Sequence, residues 1–162
     1  MTAQGLTYSI FEGTLRGFVG GRFFSLQALS GGGGGQKAHV PTAKNPAVLP
    51  GLVNNPYMTA HKEVKGDTKT PHSHGGPIPP GPYLIRAPAQ HPPLGLAARL
   101  DPAPGHVIPH RRDGFYIHGP GVHGSDGCIV PLAHFQELMD ALKRANGGTL
   151  FVLESQDGSR FA

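Results

Sequence analysis

Cysteine is almost absent from this chain, because Cys128 is the single cysteine among its 162 residues. One thiol excludes an intramolecular disulfide, and it also excludes a metal site built on four thiolates. Two roles remain for the side chain, which are a catalytic nucleophile and a small buried apolar residue.

Charged residues are also scarce, at 15% of the chain, and the net charge of +4 is not concentrated in any segment. No run of lysine and arginine is longer than a pair, such as that of Arg111 and Arg112. This scatter argues against a nucleic-acid groove, whereas a weakly cationic surface is compatible with substrates that carry free carboxylates.

Long hydrophobic runs are missing as well. No segment approaches the roughly 20 apolar residues that span a bilayer, and no basic leader followed by an apolar stretch occurs near the N-terminus. We therefore expect a chain that is made in the cytoplasm and does not insert into a membrane. If it acts elsewhere, a route other than a leader peptide must deliver it.

Glycine and proline are abundant, with 25 and 17 residues, which is typical of a loop-rich fold. The length predicts one domain over 1–162. Apolar segments at 6–11, 15–19 and 23–29, separated by turn residues, predict an N-terminal β-meander. The region 30–76 begins with five glycines and has no periodicity, so we expect a loop that is either disordered or borders an active site.

The second half of the chain predicts further strands and a single helix. The strands are expected at 83–87, 94–100, 114–118, 128–130 and 149–153. The helix is predicted over 132–144, where apolar residues recur at helical spacing. These residues are Phe135, Leu138, Met139 and Leu142. About eight strands and one helix predict a mainly-β domain of the β-rich α+β class.

The segment 115–131 carries the candidate chemistry. His118 ends an apolar strand, and Cys128 opens another after a glycine-rich connection. A free thiol is only a few per cent ionised at neutral pH, so a catalytic cysteine needs a base such as histidine. If the two strands pair, His118 and Cys128 meet at their ends. Gly127 lets the amides of residues 127 and 128 turn towards one point beside the sulfur, as a tetrahedral oxyanion requires.

The pattern HG followed by SDGCIV resembles the active-site motif of the L,D-transpeptidases of the YkuD type. The matching residues are His118, Gly119, Ser125, Gly127 and Cys128. The chain is more similar still to the L,D-transpeptidase-like toxins that type VI secretion delivers. That similarity extends to the opening LTYSIFEGTL, the glycine-rich stretch, the segment GPIPPGPY and the helix that follows GCIVP.

This resemblance implies an L,D-transpeptidase-like catalytic domain that needs no cofactor. Cys128 would attack the L,D bond of a peptidoglycan tetrapeptide stem and form a thioacyl-enzyme, with His118 as base and then acid. The backbone carbonyl of Gly119 would orient His118. Water as the acceptor gives an L,D-carboxypeptidase (a hydrolase), whereas a D-amino acid or a second stem gives an exchange or cross-linking transferase.

The resemblance also implies partners and a place of action. An antibacterial toxin of this branch is injected into the periplasm of a target bacterium and is usually paired with an immunity protein. We therefore expect a secretion apparatus and a cognate immunity protein as partners, in addition to peptidoglycan stems.

Two positions depart from the general family pattern. Asp126 stands in place of a histidine, and Val130 stands in place of an arginine. A carboxylate beside the nucleophile raises its pKa, so we expect Asp126 to turn away from the sulfur and to accept hydrogen bonds from loop amides or from His123. Arg111 and Arg112 are candidates for binding a substrate carboxylate, with a solvated turn as their alternative role.

Several residues are secondary candidates. His123 is a second candidate base or a loop residue, and Tyr83 and Tyr57 either border the cleft or pack in the core or on the surface.

A metal site is the remaining alternative for the histidines. His72 and His74 could ligate a metal with His61 or Asp67, but no HExxH or CxxC pattern supports zinc, so no metal is expected. Two rivals to the cysteine enzyme therefore stay open, which are a metal-dependent hydrolase and a non-catalytic peptidoglycan-binding module that retains the fold.

Overall fold

The computed structural model describes residues 4–36, 48–61, 64–65, 73–109, 112–121 and 124–157. Within these ranges the protein consists mainly of β-strands. The strands are β1 (Gly5–Ser9), β2 (Thr14–Val19), β3 (Arg22–Ser30), β4 (Val64–Lys65), β5 (Ser73–His74), β6 (Gly81–Ile85), β7 (Ala89–His91), β8 (Gly95–Pro102), β9 (Phe115–His118), β10 (Ile129–Pro131) and β11 (Gly148–Leu153). One α-helix, α1, spans Phe135–Arg144, and a 3₁₀ helix spans Pro56–Met58. The predicted mainly-β class is confirmed.

Nine of the strands form one sheet that closes on itself. Their order is β6-β11-β1-β2-β3-β10-β9-β8-β7, and a further pairing joins β6 to β8. The strand β7 therefore extends from the closed ring as one arm of a hairpin with β8. The antiparallel β1, β2 and β3 form the predicted N-terminal meander, and β1 also pairs in parallel with β11.

Alternating burial along the strands builds one core inside the closed sheet. In β3 the residues Phe24, Leu26 and Ala28 are buried, whereas most of the residues between them are exposed. Other strands and the helix add large buried side chains, among them Tyr8, Leu15, Phe115, Ile117, Ile129, Leu138, Met139 and Leu142. Burial of one large apolar side chain contributes roughly 1.5–3 kcal/mol, so this interior is the main source of stability.

The helix begins at Phe135 rather than at Leu132. The strand β10 continues to Pro131, and the amide of Leu132 still donates to the carbonyl of Gln27, at 2.9 Å. Sheet pairing thus keeps the chain extended past the point where the apolar periodicity would allow a helix. None of the helices in the described ranges is long and apolar enough to cross a membrane.

Candidate active site

The strands β9 and β10 bring His118 and Cys128 to one cleft. They are parallel neighbours, with Ile117 opposite Ile129. Because side chains alternate along a strand, His118 and Cys128 both lie on the face opposite to this buried pair. Both residues line a cleft of about 470 Å³. The pairing of the two strands therefore brings the candidate base and the candidate nucleophile into one cleft, two register positions apart along the parallel pair.

His118 is held by the main chain that follows it. Its side chain is 2% exposed, and its Nδ1 lies 3.0 Å from the carbonyl oxygen of Gly119. A carbonyl oxygen only accepts hydrogen bonds, so this contact assigns the proton of a neutral imidazole to Nδ1. Nε2 is then the basic nitrogen. Gly119 thus provides the orienting contact that the sequence resemblance implies for this position.

The surroundings of Cys128 favour the neutral thiol over the thiolate. Its Sγ lies 3.7 Å from the carbonyl oxygen of Gly114. The pKa of the thiol is raised to about 12, chiefly by burial, with the charge of Asp126 adding to the rise and the N–H of Tyr116 and the charge of Arg112 opposing it. A thiol with this pKa becomes a nucleophile only when a base removes its proton during attack.

Ser125 anchors the turn that precedes Cys128. Its buried Oγ accepts hydrogen bonds from the amides of Gly31, at 2.9 Å, and Gly127, at 3.2 Å, and donates to the carbonyl of Cys128. The expectation that the Gly127 amide points beside the sulfur as an oxyanion donor is wrong, because the serine hydroxyl accepts that amide. Gly127 still needs to be glycine, since its φ is +133° and a Cβ would lie 2.7 Å from the Phe115 ring.

The glycine-rich segment 31–35 packs directly against this turn. The amide of Gly33 donates to the carbonyl of Ser125, at 2.7 Å, and the amide of Ser125 donates to the carbonyl of Gly34, at 2.9 Å. A Cβ at Gly124 would lie 2.1 Å from the carbonyl oxygen of Gly33, so the two backbones approach as closely as glycine allows. This part of the loop region 30–76 therefore supports the candidate site.

Arg112 holds the turn from the opposite side. Its guanidinium donates to four main-chain carbonyls, those of Thr59, Gly76, Pro77 and Asp126. It also lies over the ring of Phe115, 5.4 Å from the ring centre. Arg112 is 4% exposed, so the solvated-turn interpretation is wrong, and its donors serve the backbone rather than a substrate carboxylate. Arg111 lies outside the described residues.

Asp126 turns its carboxylate towards β5. Oδ1 lies 2.6 Å from Nδ1 of His74 and accepts a hydrogen bond from the amide of Gly75, at 3.2 Å. The expected loop amide is thus that of Gly75. The other expected partner, His123, lies outside the described residues. His74 is buried, whereas the side chain of Asp126 is 60% exposed and lines the cleft.

The described ranges contain one of the candidate metal ligands in a different pairing. His74, one of its candidate ligands, is paired with Asp126, and no group of three His, Cys, Asp or Glu residues suited to a metal occurs in the part of the chain described. His72 and Asp67 lie outside that part.

Tyr83 belongs to the core and not to the cleft. Its hydroxyl donates to the carbonyl of Pro79, at 2.7 Å, and its ring meets Phe115 edge-on, with 6.1 Å between ring centres. Burial raises the pKa of its phenol. Of the two roles left open for Tyr83, the structure therefore supports packing in the core, and the alternative of a substrate-binding residue at the cleft is wrong. Tyr57 is exposed in the 3₁₀ helix and does not line the cleft either.

One wall of the cleft was not foreseen from the sequence. The β7–β8 hairpin contributes Gln90 to Leu94, and the ring of His91 in this hairpin packs at a tilt against Tyr116, with 4.8 Å between ring centres. Tyr116 could have been found, because it lies two residues before His118 on the same strand face. His91 could not, since the hairpin reaches the cleft only through the pairing of β8 with β9.

No family model matches the chain, and no curated protein matches it. Among solved structures, the chain is similar to the L,D-transpeptidase from Xylanimonas cellulosilytica, at 12% sequence identity and with a TM-score of 0.47. The match covers 94% of this chain and 61% of that one, so this chain spans less than two thirds of the length of that structure. The chemical interpretation of the cleft therefore rests on the contacts described above and on the sequence motif.

Proposed function

We propose that this protein is a cysteine acyl-transfer enzyme that acts on the L,D peptide bond of peptidoglycan tetrapeptide stems. The observation that carries the proposal is the placement of His118 and Cys128 on one face of two paired strands, in one cleft, with His118 Nδ1 on the carbonyl of Gly119. The motif shared with the L,D-transpeptidases supports the substrate class.

The raised pKa of Cys128 sets the order of the steps. Sγ attacks the carbonyl carbon of the L,D bond while its proton passes to Nε2 of His118. The imidazolium then protonates the amine of the departing D-alanine as the C–N bond breaks, which leaves a thioester. His118 next takes a proton from the acceptor as the acceptor attacks the thioester, and it passes this proton to Sγ as the C–S bond breaks, which restores the thiol. The acceptor is water, a D-amino acid or a second stem.

The route of delivery and the partners are part of the same proposal. Similarity to the type VI toxin branch supports an antibacterial effector that acts in the periplasm of a target bacterium and is neutralised by a cognate immunity protein. Growth arrest that requires both export of the chain to the periplasm and an intact Cys128 would support this part, whereas arrest without export would contradict it.

A non-catalytic peptidoglycan-binding module is the second candidate. The raised pKa of Cys128 favours it, because a thiol that stays protonated is a poor nucleophile unless His118 acts on it. Such a module would bind stems equally well with and without Cys128, and it would never form a thioester.

Mass spectrometry of defined tetrapeptide muropeptides tests the proposal. The wild-type protein should release or exchange the terminal D-alanine, whereas Cys128→Ala should not, although its melting temperature stays close to that of the wild type. His118→Gln should also lose turnover, and the matched control His61→Gln, at an exposed histidine outside the cleft, should keep it. Conversion by Cys128→Ala would rule out the covalent mechanism. Binding without conversion by the wild type would favour the module.

A further inference from the structure

The segment that contains β5 holds the turn before Cys128 through both the side chain and the main chain of Asp126. Nδ1 of His74 lies 2.6 Å from Oδ1 of Asp126, and the amide of Gly75 donates to the same oxygen, at 3.2 Å. The guanidinium of Arg112 donates to the carbonyl of Asp126 and to two carbonyls that follow Gly75. The turn is therefore attached to a segment 52 positions away in the sequence.

The imidazole of His74 has little freedom to move. It is 4% exposed, and it packs against the backbone of Gly33, where an added Cβ would lie 2.8 Å from Nε2. The amide of Gly33 in turn donates to the carbonyl of Ser125, at 2.7 Å. The ring therefore fills the space between the glycine-rich segment 31–35 and the turn, with Nδ1 directed at Asp126. A hydrogen bond from so constrained a donor fixes the orientation of its acceptor.

The place of the Asp126 carboxylate matters for the nucleophile. The charge of Arg112 interacts favourably with this carboxylate, which nevertheless adds to the raised pKa of Cys128. The strength of that effect depends on the distance between the carboxylate and the sulfur. The side chain of Asp126 is 60% exposed, so it has room for other rotamers. The hydrogen bonds from His74 and Gly75 select one rotamer and thereby set this distance.

We propose that His74 is a positioning residue for the acyl transfer, because it holds the Asp126 carboxylate in place and so fixes the turn that presents Sγ of Cys128. This inference deepens the proposed function and rests on it. His74 is not part of the described cleft lining, so it acts through Asp126 and not on the substrate. Nδ1 donates to the carboxylate whether the imidazole is neutral or protonated, so the role needs a donor at this place and not a positive charge.

The experiment compares His74→Asn with His74→Gln in the conversion of a defined tetrapeptide stem. The amide nitrogen of asparagine lies close to the place of Nδ1 and donates to Oδ1, whereas that of glutamine is one carbon farther from the backbone. His74→Gln should therefore lower kcat about tenfold, which corresponds to about 1.4 kcal/mol. Its KM should stay close to the wild-type value, because the substrate does not touch position 74. His74→Asn should keep most of the wild-type kcat.

A second comparison removes the acceptor of this hydrogen bond. In Asp126→Ala the side chain at position 74 has no carboxylate to hold, so adding His74→Gln should cause no further loss of kcat. The matched control is His106→Gln, at a partly buried histidine that meets Tyr83 edge-on outside the cleft, and it should keep the wild-type kcat. Thermal melting of every variant checks that the rates compared belong to folded protein.

Three outcomes would overturn the role of His74 while the enzyme assignment stands. The first is a wild-type kcat for His74→Gln, even with a lowered melting temperature, since His74 would then serve stability alone. The second is an equal loss of kcat in His74→Asn and His74→Gln. The third is an undiminished loss from His74→Gln in the Asp126→Ala background. If the wild type converts no stem, this inference and the proposed function both fail.

Discussion

The single thiol makes the ionisation of the candidate nucleophile directly measurable. Burial raises the pKa of Cys128 from the ordinary value of 9.0 to about 12. The thiolate fraction at neutral pH falls tenfold for each unit by which the pKa rises. A rise of about three units therefore makes this fraction about a thousandfold lower than for an ordinary cysteine. We therefore expect the folded protein to react slowly with a small alkylating reagent, because the thiolate is the reactive species.

The assay follows the rate of alkylation by iodoacetamide in a mass spectrometer between about pH 7 and 10.5. In the folded protein the logarithm of the rate should rise by about one for each pH unit over the whole range. In the urea-unfolded protein the rate should level off near pH 9, which is the ordinary pKa of the thiol. The slope does not depend on access of the reagent, and Cys128→Ala provides the blank.

A rate for the folded protein that levels off at or below pH 9 would refute the reasoning from burial. Levelling below about pH 7 would indicate a resting pair of thiolate and His118 imidazolium instead of a neutral thiol. Asp126→Asn should shift the profile to lower pH, since the charge of Asp126 adds to the raised pKa.

Two further predictions concern stability. Ser125→Ala should lower the free energy of unfolding by about 1–3 kcal/mol in urea titrations, because the buried amides of Gly31 and Gly127 lose their acceptor. The same substitution should reduce turnover. The control is Ser9→Ala, at a buried hydroxyl without a hydrogen-bond partner in the described structure, which should lower the free energy of unfolding much less. The raised pKa of Cys128 contributes stability that is complete below about pH 9 and is lost as pH rises towards 12, because the unfolded chain releases the proton first. Between pH 9 and 11 the free energy of unfolding of the wild type should therefore fall by up to about 1.4 kcal/mol per pH unit relative to that of Cys128→Ala. A difference in free energy of unfolding that stays constant over this range would contradict the prediction.

The features that sequence reasoning could predict are those encoded by neighbouring residues. Period-two segments gave the meander and most of the other strands, and the helical stripe ending at Leu142 gave α1. His118 and Cys128 were found because one short segment contains both of them and the strands that carry them. The pairing of β9 with β10, which the sequence analysis could state only as a condition, is present in the structure.

The features that sequence reasoning missed depend on contacts between distant segments. Arg112 looks like half of a surface basic pair, yet its partner Pro77 is 35 positions away. Asp126 and His74 are 52 positions apart, and neither flanking sequence indicates the other. Tyrosine often lines clefts, but Tyr83 is buried in the core because β6 closes the sheet against β8 and β11. Local patterns contain no information on such pairings.

The hydrogen bond from the amide of Gly31 to Ser125 joins residues 94 positions apart, and it bears on how the chain folds. Closing so long a loop costs conformational entropy before any contact is gained, so distant pairings of this kind form late. The turn that presents Cys128 therefore reaches its final shape only after the segments at its two sides have returned to it. A partly folded chain would carry an accessible cysteine with ordinary reactivity, and it would lack the assembled acyl-transfer site until the last segments dock.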